Sequence, residues 1–192
     1  MKDEIRIAGI DDASFDFSSK EVLVVCAVMR GRNILEGVLS THVTKDGMDA
    51  TDRIAEMVNN SKHREQIRVM MLDGITFAGF NIVDIDELYI KTEIPIIAIT
   101  RKIPDLKSIK NALKNLDEAK KRWEIVKKTG ALYEHRVSKG KNPIRFQMRG
   151  MSMKIAQDVI EKTIYRASVP EPIRIAHLIA TGISRGESTG RA

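Results

Sequence analysis

Apolar positions follow two rhythms along this chain. Short runs dense in Val, Ile and Leu occupy Ile5–Ile10, Val22–Met29 and, roughly, Ile34–Val43. Tight polar or Gly-containing connections separate them at Ser18-Ser19 and Arg30-Gly31-Arg32-Asn33. That pattern predicts an antiparallel meander of strands. From Asp46 the period changes: Ile54, Met57 and Val58 recur at helical spacing, with Asp49 or Thr51 as the N-cap. A fourth strand is expected over Ile67–Leu72, a helix over Phe80–Ile90 and a fifth strand over Pro95–Ile99.

Pro104 suits the first turn of a long helix. Leu106, Ile109, Leu113, Leu116, Trp123 and Val126 give it one apolar stripe, with lysines on the other faces. Ala131–Val137 and Ile144–Met148 read as strand material on either side of the basic loop Lys139-Gly-Lys-Asn-Pro143. Ser152 can cap a helix running to Tyr165, and Pro170-Glu-Pro172 introduces a last helix that ends before Gly186. The order of elements, β-β-β-α-β-α-β-α, is that of an α/β ribonuclease-H-like architecture, a mixed sheet flanked by helices. No repeat or linker divides the chain, so residues 1–192 read as a single domain.

Composition narrows the class. With 43% hydrophobic and 30% charged residues, the chain has the balance of an ordinary globular protein. No apolar run approaches the roughly 20 residues needed to span a bilayer. The N-terminus lacks an apolar signal region, so no membrane partner and a cytoplasmic location are expected. The single cysteine, Cys26, sits inside a strand-like apolar run and reads as a packed core thiol. The net charge of +6 is uneven: the first third is acidic, and the stretch from Lys107 to Lys154 is rich in Lys and Arg. An acidic rim with a basic flank suits a polyanion, although a solvated helix face gives the same composition.

Two strand ends carry the chemistry. Ile5-Arg-Ile-Ala-Gly-Ile-Asp11-Asp12 and Ile67-Arg-Val-Met-Met-Leu-Asp73-Gly74 each close an apolar run with aspartate. Carboxylates placed side by side at one sheet edge repel unless a proton or a divalent cation relieves them. Such metal sites serve phosphate chemistry. Asp12, on the opposite side of an extended strand from Asp11, reads as a turn residue.

Three segments in order resemble endonuclease V, a metal-dependent nuclease acting beside deaminated bases. Ala8-Gly-Ile-Asp11 is similar to its first-strand motif. Asp73-Gly-Ile-Thr-Phe-Ala-Gly-Phe80, followed by Ile94-Pro-Ile-Ile-Ala-Ile-Thr-Arg101, resembles its central block, and Val169-Pro-Glu-Pro-Ile-Arg-Ile-Ala-His177 its C-terminal block. The whole chain, including the tail Gly186-Glu-Ser-Thr-Gly-Arg-Ala192, looks closer still to an uncharacterised archaeal family related to endonuclease V. The resemblance implies that Asp11 and Asp73 bind a catalytic Mg²⁺ or Mn²⁺, with His177 as a further ligand or catalytic group. A family glutamate has no counterpart; Asp49 and Asp52 are the candidates for its place. Arg101, with Lys102 beside it, stands where the family has a phosphate-contacting lysine.

The chain also departs from that family. An aromatic, proline-containing wedge used for base recognition is replaced by Leu39-Ser-Thr-His-Val-Thr-Lys-Asp-Gly47. The implied activity is therefore a metal-dependent nuclease on DNA or RNA with its base specificity open. The competing expectation is a nucleic-acid-binding or regulatory module that keeps the fold without turnover.

Overall fold

The computed structural model describes residues 4–101, 103–137, 143–165 and 169–188. Its core is a mixed sheet of seven strands: β1 (Arg6–Asp12), β2 (Glu21–Arg30), β3 (Ile34–Thr44), β4 (Ile67–Asp73), β7 (Ile96–Thr100), β8 (Tyr133–His135) and β9 (Ile144–Arg149). The spatial order is β3-β2-β1-β4-β7-β9-β8, and a separate two-stranded ribbon pairs β5 (Thr76–Phe77) with β6 (Asn81–Ile82). The first three strands form the expected meander, while β4 and β7 run parallel to β1. This is the ribonuclease-H-like mixed sheet, extended at one edge by the antiparallel β9 and β8.

Strand alternation divides the core. Ile7, Val69, Met71 and Ile97 pack with Phe146 and with Ala156, Val159 and Ile160 of α5 (Met153–Thr163). Ala8, Ile10, Met70, Leu72 and Ala98 pack with Ile54 and Val58 of α1 (Ala50–Asn59) and Leu88 of α2 (Ile85–Thr92). Cys26 is fully buried in β2, and burial pushes its thiol up to about 12, so it is an inert core group.

The last helix, α6 (Glu171–Arg185), approaches β1 unusually closely. A Cβ on Gly9 would overlap the Pro172 carbonyl and crowd the Ile173 amide, so only glycine lets the two backbones meet. Pro170 occupies the N-cap, and Pro172 sits in the first turn, where a missing N–H costs nothing. Buried Glu171 accepts from Arg174 Nε and Nη2 at 2.9 and 2.7 Å. Gly186, in the left-handed region, ends the helix as expected.

Two expectations change, and one cation of the basic stretch proves to be buried. The segment from Phe80 does not start a helix: Asn81–Ile82 form β6 and α2 begins at Ile85, capped by Asp84. The long helix after Pro104 is two helices, α3 (Leu106–Leu113) and α4 (Ala119–Lys128), separated where Glu118 turns left-handed at φ 54°. The apolar stripe misleads because its spacing continues across the break. Finally, Arg122 of α4 is buried instead of solvated. It donates to the carbonyls of Asp46 (2.6 Å), Gly47 (2.8 Å) and Phe80 (2.5 Å), and ties α4 to two loops. The residues Lys139–Asn142 of the basic loop lie outside the described residues.

Two outcomes test this packing. Gly9→Ala should destabilise the protein by at least the ~1–3 kcal/mol of core overpacking, read by urea unfolding, because backbone atoms must move. Asp84 caps α2 through the amides of Asp86 and Glu87 and also accepts from Lys128 of α4 at 2.9 Å. Burial works against its charge, but Lys128 and the two amides outweigh it and hold its carboxyl below the ordinary 3.8. Its stabilisation is therefore complete above pH 3.8 and lost as pH falls through the folded value. Asp84→Ala should cost about 1 kcal/mol at pH 7, with the gap to wild type closing in acid.

Candidate active site

The site lies at the C-terminal ends of the parallel strands. The last paired rung between β1 and β4 is Ile10–Leu72, so Asp11 and Asp73 stand one residue beyond it on neighbouring strands. Asp11 shares the face of Ile7 and Gly9, Asp73 that of Val69 and Met71, and Arg101 follows β7 in phase with Ile97 and Ile99. This face is the one covered by α6, whose His177 lies five residues past the Gly9 contact at Pro172. Strand alternation thus turns two sequence-distant aspartates and one arginine toward the same helix.

Each carboxylate is held by a cationic or polar partner. Asp11, 3% exposed, has Oδ2 at 2.8 Å from His177 Nδ1, while its Oδ1 accepts from the Asp12 amide at 2.9 Å. The hydrogen bond to Asp11 outweighs burial and pushes the imidazole of His177 up. Asp73 Oδ2 accepts from Arg101 Nη2 at 2.7 Å. Burial, reinforced by the charge of Asp11, pushes the Asp73 carboxyl up in spite of Arg101. The like-charge conflict expected from the strand ends is present, and the Arg101 guanidinium and the hydrogen bond to His177 partly relieve it.

Asp12 is a group that sequence reasoning undervalued. It points to the other face, as expected, but it is no solvated turn residue: Oδ2 accepts from the Ala78 amide at 2.7 Å. Burial pushes its carboxyl up to about 7, with the nearby Asp11 and Asp73 adding to the effect. The doubled Asp-Asp was the available signal. Asp12 anchors the β5–β6 ribbon against the strand that carries Asp11.

The other expected residues are engaged elsewhere. Asp49 accepts from the Thr44 amide (3.1 Å), Thr44 Oγ1 (3.0 Å) and Asn81 Nδ2 (2.6 Å). Burial opposes its charge, but these donors prevail and hold its carboxyl low. Asp52 is exposed on α1 and paired with Lys91 of α2. Among the described residues neither shares a hydrogen-bond or ion-pair partner with Asp11 or Asp73. Lys102 lies outside the described residues.

An open groove of about 830 Å³ begins at Asp73 and Arg101. Its far wall is apolar: Leu106 and Ile109 of α3 and Trp123 and Val126 of α4. The break between those two helices, absent from the sequence expectation, gives that wall its shape.

The donor chemistry suits a hard divalent cation. Asp11 and Asp73 offer carboxylate oxygens from adjoining strands, and His177 Nε2 is a buried nitrogen with no hydrogen-bond partner among the described residues. As placed, no three His, Cys, Asp or Glu side chains among the described residues converge closely enough to enclose an ion. Binding would therefore require Arg101 and His177 to loosen their hold on the two aspartates.

Comparison with known proteins assigns the lineage. Residues 3–184 match the model of the family described as Endonuclease dU. The chain belongs to the Endonuclease dU family. It is 47% identical over 192 residues to the UPF0215 protein of Methanopyrus kandleri, covering all of this chain and 98% of the relative. It is 48% identical to the UPF0215 protein of Methanothermobacter thermautotrophicus, covering all of this chain and 94% of that one. A crystal structure of a protein of unknown function from Archaeoglobus fulgidus superposes with a TM-score of 0.85 at 38% identity, covering 94% of this chain and 98% of the other. The catalytic domain of human endonuclease V matches with a TM-score of 0.62 at 16% identity, covering 95% and 83% of the two chains. An endonuclease V from Ciona intestinalis, in complex with a 24mer DNA containing an inosine followed by a ribo-adenosine, gives 0.58 at 14%, covering 90% and 82%. The fold is thus shared with endonuclease V, and the chain sits in an archaeal family related to it.

The Asp11–His177 contact makes a direct prediction. In a double-mutant cycle with Asp11→Asn and His177→Gln, read by urea unfolding, the two should couple by about 1–3 kcal/mol. Strictly additive losses would mean that the bond contributes nothing to stability.

Proposed function

We propose that this protein is a divalent-metal-dependent endonuclease that cuts DNA beside a deaminated base, with deoxyuridine the first substrate to try. The observation that carries the reading is the pairing of Asp11 and Asp73 on adjoining strands and one face, in a family described as an endonuclease. Membership supports nuclease chemistry; the deoxyuridine preference rests on the family's description, and the DNA-bound neighbour from Ciona supports a nucleic-acid partner.

Asp11 and Asp73 would hold Mg²⁺ or Mn²⁺, with His177 Nε2 as the nitrogen donor. When bound, such an ion lowers the pKa of a coordinated water and offsets charge on the phosphate. The chain's own residues supply the rest. Arg101, released from Asp73, presents a planar guanidinium to phosphate oxygens. His177 is oriented through Nδ1 by Asp11; released from that bond when an ion binds, its ring would be free to turn Nε2 to ligation or proton transfer. The apolar groove beside Asp73 excludes water from one side of the reacting phosphate and gives a base room.

One observation favours a second reading. Asp49 and Asp52, the candidates for the family glutamate, bond to Asn81 and Lys91, so the carboxylate pair lacks that third acidic group, as a binding module that has lost turnover would. Incubation of deoxyuridine-containing, inosine-containing and unmodified DNA with Mn²⁺ separates the two. The nuclease reading expects cutting near the modified base and a loss of at least about 100-fold for Asp73→Asn. Salt-sensitive DNA binding with no cutting by wild type would favour the binding module.

A further inference from the structure

Directly after Asp12, the chain leaves the sheet as the loop Ala13-Ser-Phe-Asp-Phe-Ser-Ser19, which carries two exposed aromatic rings. Phe15 is 37% exposed and Phe17 is 99% exposed. Isolated surface hydrophobics need no explanation. What sets this pair apart is how it is held. Lys45, from the loop that follows β3, donates from Nζ to the Phe17 carbonyl at 2.6 Å. The same ammonium lies 4.6 Å from the Phe17 ring centre and 5.8 Å from that of Phe15. The Lys45 amide also donates to the Lys20 carbonyl at 2.9 Å. A turn closed by Asp16 and Ser19, through Ser19 N to Asp16 O (3.1 Å) and Asp16 N to Ser19 Oγ (3.0 Å), fixes the tip.

We infer that Phe17, with Phe15 behind it, is a stacking platform for an unpaired nucleobase of the DNA strand engaged at Asp11 and Asp73. Proteins that hold single strands combine exposed aromatic faces with interleaved cations, because every base has a π-face and every nucleotide a phosphate. Here the rings and Lys45 form that combination. Position fits as well. The six residues from Asp11 to Phe17 span at most about 22 Å, so Phe17 stays within a few nucleotides of the carboxylates. Lys45 ties the backbone at Phe17 to the loop after β3 while the ring itself stays exposed. The inference rests on the nuclease reading above and adds to it a contact that neither the metal site nor the groove provides.

Single-stranded DNA carrying 2-aminopurine, titrated with metal-free protein, tests it. Wild type should quench the probe, and Phe17→Ala should lose the quenching and bind about five-fold or more weakly. Phe17→Trp should restore both. Because Phe17 buries nothing, the unfolding midpoint of Phe17→Ala should match wild type, which separates stacking from a folding defect. If wild type binds and cuts DNA while Phe17→Ala binds and quenches equally, the platform is overturned and the nuclease reading stands. If wild type neither binds nor cuts any DNA, both fall together. If Phe17→Ala changes sedimentation but not DNA binding, a second copy of the chain is the occupant and the inference is wrong.

Discussion

The close approach of α6 to β1 at Gly9 is the constraint on which the site depends. With no side chain at that position, the backbone of Pro172 and Ile173 rests directly on the strand. The helix then runs toward the C-terminal end of β1, and His177 arrives opposite Asp11. A larger residue at position 9 would push the helix outward and open the contact that orients the imidazole. Packing at one end of the helix therefore sets the electrostatics at the other. The buried Glu171–Arg174 pair and the proline-rich first turn hold the same helix end in place.

That geometry creates a charge problem and solves it only in part. Asp11, Asp12 and Asp73 crowd the ends of two adjoining strands, and the carboxyls of Asp12 and Asp73 are both pushed up by burial and by their neighbours. His177 and Arg101 offset two of the charges, while Asp12 turns away to bind the Ala78 amide. A protein selected only for stability gains little from such an arrangement, since well-packed apolar residues do as well as buried ion pairs. Perturbed carboxylates beside an open groove make these strand ends the candidate site.

Much of this was legible in the residue pattern. The meander, the two aspartate-terminated strands and the proline-led last helix follow from period, turn residues and capping rules, and they suffice to place Asp11 and Asp73 together. What was not legible depended on three-dimensional direction. The α3–α4 break hides because the apolar stripe keeps its phase across it. Arg122 looks like one more cation on a lysine-rich helix, yet three carbonyls from two loops surround it. Asp49 and Asp52 sit at a suggestive separation from Asp73, but one is absorbed in a knot with Thr44 and Asn81 and the other in a helix–helix ion pair. Spacing along a chain says nothing about which way a carboxylate faces once a loop intervenes.

The claim at the centre is that Asp11 and Asp73 share a divalent cation on the α6 face of the sheet. A crystal grown with Mn²⁺ and measured at a wavelength that reveals its anomalous signal tests this most directly. The predicted result is a peak bridging the two carboxylates, with Arg101 turned away from Asp73. A Mn²⁺-saturated crystal with no peak there, or with ions bound only at other carboxylates while the Arg101–Asp73 and His177–Asp11 bonds persist, would contradict it.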